Sequence, residues 1–214
     1  DKISDEHYLP AFEAAIAEGK AEIDAIVENQ EEPTFENTIE AMEYAGQTLN
    51  TVAGIFYNLM EANTNDQMQA VAEQVSPMLT EYSMYVSLNE KLFERVKAVY
   101  EKRNELGLDQ DQMTLLEDNY KGFVRGGANL SEEDKALYSK WSEELSLATL
   151  QFSKNVLAAT NAYTLHVTDS ADLAGLPEYV KTMGAETAKE KNLEGWAFTL
   201  AYPSFSPFMK YSQN

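Results

Sequence analysis

The sequence contains no cysteine, so disulfides, thiolate metal sites and cysteine nucleophiles are all excluded. It has only two histidines, His7 and His166. Long apolar runs are missing too: nothing approaches the roughly 18 residues of a membrane span. Between Lys20 and Lys91 there is no basic residue, and that window of 70 residues carries 13 acids. Across all 214 residues, 36 Asp and Glu face 16 Lys and Arg, a net charge of −20. This disfavours nucleic acid and anionic membrane surfaces as partners, since both are bound through clustered Lys and Arg. What is present argues against a disordered acidic tail. Hydrophobic residues make up 44% and aromatics 11%, enough apolar surface for a sizeable core.

The acids concentrate in the first half. Residues 1–107 hold 21 acids and 7 bases, and residues 108–214 hold 15 and 9. Asp1 opens the chain without a Met or a signal-like apolar segment, which predicts a cut boundary there.

Residues 1–160 read as helix after helix. Phe12, Ile16, Ile23, Ile26 and Val27 share one face of a first helix. After Pro33, Thr34 is a natural N-cap. Phe35, Ile39, Met42, Leu49, Val52, Phe56 and Leu59 then recur in threes and fours, the strongest amphipathic signal in the chain. Thr64 and Gln67 fit a capping box before a third helix through Met68, Val71, Val75, Leu79, Tyr82 and Val86. Pro77 should kink that helix or begin a new segment. A fourth, through Leu92, Val96, Val99 and Tyr100, should end near Gly107. A fifth should run from about Asp111 to Arg125 and stop at Gly126-Gly127. Ser131 before Glu132, Glu133 and Asp134 marks a strong helix start. Leu137, Trp141, Leu145, Ala148, Phe152, Val156 and Ala159 continue one stripe from there, giving about 28 residues and on the order of 40 Å.

The pattern then changes. Two alternating segments, near 163–167 and 196–202, predict short strands around a helix at about 177–191 that opens on Pro177. Ser204 or Ser206 could cap a last helix. The fold class is therefore mainly α, with a multi-helix body and a small two-strand β element.

No catalytic motif emerges. A zinc hydrolase uses two or three fixed His or carboxylate ligands, often His-Glu-x-x-His on a helix, and neither His7 nor His166 sits in such a string. There is no Gly-x-Ser-x-Gly, and Gly126-Gly127-Ala128 lacks the tail of a phosphate loop. Asp109 and Asp111 resemble the start of a calcium loop, but Thr114 stands where glycine is needed and Tyr120 where the closing Glu belongs. The pairs Glu31-Glu32, Glu132-Glu133 and Glu143-Glu144 read as solvated helix faces, because a catalytic carboxylate needs burial or a partner. Met42, Met60, Met68, Met78 and Met84 read as fillers of core gaps. These residues alone describe a scaffold, a lid or a binding module.

Longer strings say more. His7 to Ile16, Pro33-Thr-Phe-Glu-Asn-Thr-Ile, Asn89-Glu-Lys-Leu-Phe-Glu-Arg, Phe123-Val-Arg-Gly-Gly-Ala-Asn-Leu, Leu173-Ala-Gly-Leu-Pro-Glu and Trp196 to Pro207 follow in order. Together they resemble the N-terminal region of the thimet-oligopeptidase-like zinc metallopeptidases. The resemblance is collinear over essentially the whole chain and looks closest to the peptidyl-dipeptidase (dipeptidyl carboxypeptidase) branch, with oligopeptidase A as near neighbour. It implies a larger, mostly helical parent enzyme with a deep channel. Zinc would sit in a C-terminal half on a His-Glu-x-x-His helix, whose Glu serves as general base. No catalytic or metal residue carries over to this chain, which alone should be inactive, and its substrate-binding residues are unknown.

On this implication residues 1–214 are an N-terminal helical domain, one wall of a channel admitting short unstructured peptides. Residues 1–160 would be its all-helical part, and residues 161–214 a strand–helix–strand part adjoining the catalytic half. That junction should expose apolar surface. The parent is cytoplasmic or periplasmic, with the cytoplasm the first reading. The alternative is a stand-alone acidic helical interaction module. The basic-free window is read first as a solvated acidic face, and second as negative potential at the channel mouth that favours basic peptides.

Overall fold

The computed structural model describes residues 3–214, so the cut boundary expected at Asp1 lies outside the described residues. The chain forms two compact units, residues 1–148 and 149–214. All of residues 161–214 fall in the second.

In the first unit, α1 (Tyr8–Glu28) buries Tyr8, Phe12, Ile16, Ile23 and Ile26, the face its periodicity predicts. The next expectation needs correction. The stripe from Phe35 to Leu59 is not one helix. A wide π-type turn (Phe35–Glu40) runs into the short α2 (Ala41–Tyr44), and α3 (Gln47–Asn63) starts afresh. The break is Gly46, at φ 77°, a conformation that glycine adopts without strain. The Gly46 N–H donates to the Glu22 carboxylate of α1 at 2.7 Å, so a contact from outside the segment fixes the break.

The cap before α4 (Asp66–Ser87) is Asn65, whose side chain accepts from the Met68 N–H at 2.9 Å; Thr64 was expected there. Pro77 neither ends α4 nor starts a new segment, and the helix runs on to Ser87. α5 (Glu90–Glu101) stops six residues short of Gly107, and a run of turns fills the gap. α6 (Gln110–Arg125) starts from Asp109 in a capping box with Gln112.

The core of this unit joins Ile23, Ile26, Phe35, Ile39, Leu92, Val96 and Phe123, among others. Phe93 stacks on Phe123 at 5.8 Å, and Tyr100 on Tyr120 at 3.9 Å. Phe56 takes Tyr8 and Phe12 edge-on at 5.0 and 5.5 Å, the geometry the ring quadrupoles favour. Met68 is buried and Met42 packs against the core, as gap fillers do. Met78 and Met84 instead line a surface groove.

α7 (Glu132–Ala162) begins at the expected Ser131, whose hydroxyl accepts from the Asp134 N–H at 3.2 Å. The helix is 31 residues long. Its apolar stripe is present but exposed: Leu137, Trp141, Leu145, Phe152 and Val156 all face solvent.

In the second unit, β1 (Leu165–Val167) and β2 (Trp196–Phe198) pair antiparallel, with Leu165 opposite Phe198 and Val167 opposite Trp196. Both are shorter than the alternation suggests. Tyr163 lies ahead of β1, and β2 stops before Leu200 because Tyr202 already opens a helix. α8 (Glu178–Glu190) packs on β2. Pro177 stands just before its first turn, and its carbonyl accepts from Val180 at 3.0 Å. Neither Ser204 nor Ser206 caps α9 (Tyr202–Tyr211), which starts ahead of both. The buried Ser204 hydroxyl instead accepts from the Thr199 N–H at 3.0 Å and ties the strand end to the helix. Val167, Leu173, Leu176, Val180 and Phe198 form the core.

Candidate functional site

The sequence-derived chemical candidates each have a local task. His7 accepts the Ser4 N–H on Nδ1 at 3.0 Å and closes a 3-10 turn ahead of α1. His166 is exposed on β1, and its Nε2 donates to the Glu194 carbonyl at 2.6 Å. Asp109 caps α6 and is thereby removed from any calcium loop. Gly126-Gly127 closes α6, with Gly127 at φ 97°. Among the described residues no three His, Cys, Asp or Glu side chains converge. The donor set therefore does not fit the zinc that the family resemblance implies for the parent.

The carboxylate pairs behave as surface charges. Glu32 meets Lys102 at 2.5 Å, and that hydrogen bond, with the ammonium charge, holds its carboxyl below the usual range. Glu132 and Glu90 both reach Lys135, at 2.9 and 2.6 Å. The Lys135 ammonium is buried on its stem, and its two carboxylate hydrogen bonds raise its pKa. Glu144 is only 3.9 Å from Lys140, a weak exposed pair. Glu31 and Glu133 are exposed. Five acids of the basic-free window have defined partners. Glu32, Glu81 and Glu90 take Lys102, Lys20 and Lys135 from outside it, while Glu22 holds the Gly46 turn and Asp24 accepts from Tyr85.

Two of the family-like strings meet in space. Arg95, from the Asn89–Arg95 string, is buried and donates to the carbonyls of Asn29 and Glu31 at 2.9 and 3.2 Å. Its third bond goes to Asn37 Oδ1 at 3.0 Å, in the Pro33–Ile39 string. The same oxygen accepts the Thr34 N–H at 2.8 Å, while Thr34 Oγ1 accepts the Asn37 N–H at 3.1 Å. The Asn37 amide nitrogen donates back to the Glu32 carbonyl at 3.0 Å. This latch orders the loop between α1 and α2. In the second unit, Gly175 of the Leu173–Glu178 string sits at φ 85°, against the Tyr211 carbonyl. These strings therefore specify turns and closures. No local signal links Arg95 to Asn37, which are 58 residues apart. The clue available from sequence was that both belonged to family-like strings.

A groove of about 630 Å³ lies in the first unit, lined by Met78, Met84 and Tyr85 of α4, by Leu88 just after it, and by Lys140 and Glu143 of α7. At its base the Tyr85 hydroxyl donates to Asp24 in a short bond, and this with burial pushes the phenol up to about 12. Lys20 bonds Glu81 at 2.7 Å on the same side and lies over the Tyr85 ring. The groove is apolar with a mixed-charge rim, and its lining offers no histidine or cysteine. Among the described residues no helix is long and apolar enough to cross a membrane.

Comparison with known proteins bears on what such a surface serves. Residues 12–135 match the model of the neurolysin/thimet oligopeptidase N-terminal domain. The chain is 39% identical over 208 residues to a dipeptidyl carboxypeptidase of Escherichia coli (strain K12), covering 97% of this chain and 30% of that protein. The corresponding Salmonella typhimurium protein is 40% identical over 194 residues, 91% of this chain and 28% of its own length. Oligopeptidase A of Escherichia coli is 29% identical over 213 residues, covering 100% of this chain and 31% of that protein. The chain thus spans about 30% of the length of the curated relatives it matches.

Proposed function

This chain belongs to the neurolysin/thimet oligopeptidase family, as its N-terminal domain, and from that premise we propose that it is the non-catalytic N-terminal part of a zinc peptidyl-dipeptidase. On this reading it forms one wall of a channel that admits short, unstructured peptides and excludes folded proteins, and the parent removes dipeptides from peptide C-termini. Zinc and its ligands belong to the remainder of the parent polypeptide, so this chain alone is inactive. Residues 1–160 supply the helical wall, and residues 161–214 adjoin the catalytic half.

The observation that carries the reading is the match over 97% of this chain to a dipeptidyl carboxypeptidase at 39% identity, against 29% for oligopeptidase A. The difference supports the dipeptide-releasing branch over internal cleavage.

The test is product analysis. The protein from the complete reading frame is incubated with N-blocked peptides whose C-terminus is free or amidated, and products are read by mass spectrometry. Stepwise loss of two residues from the free C-terminus alone is expected. Internal cuts in both peptides would move the chain to the oligopeptidase branch. An absence of peptidase activity would leave an acidic helical interaction module.

A further inference from the structure

A helix on a protein body ordinarily turns its apolar stripe inward and its charges outward. In the first unit α7 instead leaves its apolar stripe outside along with most of its charges. The residue it buries is Lys135, held by Glu90 and Glu132. Ser139, Ser142 and Ser146 follow on the half-buried side, and Ser146 shares a 2.7 Å hydroxyl–hydroxyl bond with Thr80 of α4. The apolar stripe points away: Leu137, Trp141 and Leu145 are 39%, 60% and 67% exposed. In sequence the same period continues through Phe152 and Val156, which are 70% and 48% exposed. An apolar row of this size on a protein surface, with a tryptophan in it, marks an interaction site.

Charge and length restrict what covers it. Glu132, Glu133, Asp134 and Glu144 are exposed on the same helix, and the whole chain carries −20. A second copy would bring the same acids against these, and an anionic membrane would be repelled as well. The relatives suggest a different occupant. The chain makes up 30% of the dipeptidyl carboxypeptidase and 31% of oligopeptidase A, so more than twice its length lies outside it in each.

We propose that the outward apolar face of α7, centred on Trp141 and Leu145, is the surface on which the remainder of the parent polypeptide docks, through an apolar face with a basic rim. The inference rests on the reading of this chain as one part of a longer peptidase. It adds the stripe of α7 to the contact that the sequence placed at residues 161–214.

The absence of cysteine allows a direct test. Leu145→Cys is placed in the protein made from the complete reading frame, and its maleimide labelling is followed by peptide mass in native buffer and in urea. Native labelling slower by on the order of ten-fold or more is expected, since the thiol reacts only when the covering polypeptide opens. Equal rates in the two buffers would overturn the inference, as would protection that grows with protein concentration, which signals a second copy. Leu137→Cys serves if the first variant does not fold. Peptidase activity of the same sample separates the two ideas. Fast labelling of an active enzyme sinks the docking surface alone. Protection in a protein without activity sinks the proposed function alone.

Discussion

Replacing Arg95 with Met removes the guanidinium and keeps most of the apolar stem. Three bonds go with it, to the carbonyls of Asn29 and Glu31 and to Asn37 Oδ1. Hydrogen bonds to a charged donor contribute about 1.5–3 kcal/mol each. The net loss is smaller than their sum for two reasons. Asn29 and Glu31 follow the end of α1, half-buried and exposed in turn, where water can replace the donor. The native cation is itself buried with its Nε unpaired, a desolvation cost that the substitution relieves. A net destabilisation of about 2–4 kcal/mol remains. For a unit of this size, each kcal/mol lowers Tm by about 2–4 °C, so a drop of about 5–15 °C is expected in circular-dichroism melting. Arg95→Lys, which can satisfy only part of the fork, should fall about halfway. Hydrogen exchange supplies the local readout: the amides of Thr34 and Asn37, which bond within the latch, should lose protection before those of α1. A Tm for Arg95→Met within 1 °C of the unsubstituted chain, together with unchanged exchange at Thr34 and Asn37, would refute the latch.

Three further outcomes follow from backbone and titration geometry. A Cβ on Gly195, at φ 83°, would stand 2.4 Å from the Val167 carbonyl, so Gly195→Ala should destabilise the second unit by more than the roughly 1 kcal/mol typical of a point substitution, measured by urea unfolding. Gly54→Ala in α3, where nothing lies within 4 Å, should instead stabilise by about 0.5–1 kcal/mol. The Tyr85 phenol, raised from 10 to about 12 by its bond to Asp24, keeps its proton in the folded state beyond the point where the unfolded chain has lost it. Its contribution is therefore complete below pH 10 and declines as pH rises toward 12. Ultraviolet difference titration against Tyr85→Phe should place the missing ionisation near 12; a missing ionisation near 10 would contradict the bond.

The pattern of what was legible follows the range of the interactions. Phe12, Ile16, Ile23 and Ile26 announce α1 because burial on one helix face is a local, periodic signal. Ser131 announces α7 for the same reason. The break at Gly46 was invisible because the stripe from Phe35 to Leu59 runs through it without a change of spacing, and its cause is the carboxylate of Glu22 on another helix. Asn65 displaced Thr64 as a cap by a choice of one position, which residue type alone does not settle. The stripe of α7 announces its helix and leaves its burial open, since periodicity shows which face is apolar and not what covers it. On the functional side, the family-like strings were legible in the residues themselves. The Arg95–Asn37 latch was not, because it depends on tertiary contact between distant strings.

The central claim is that this chain is one non-catalytic part of a zinc peptidase. The most direct test incubates the 214-residue chain alone with zinc and an N-blocked peptide, beside the protein of the complete reading frame, and follows dipeptide release. The account predicts release by the complete protein and none by this chain. Turnover by the chain alone would contradict it.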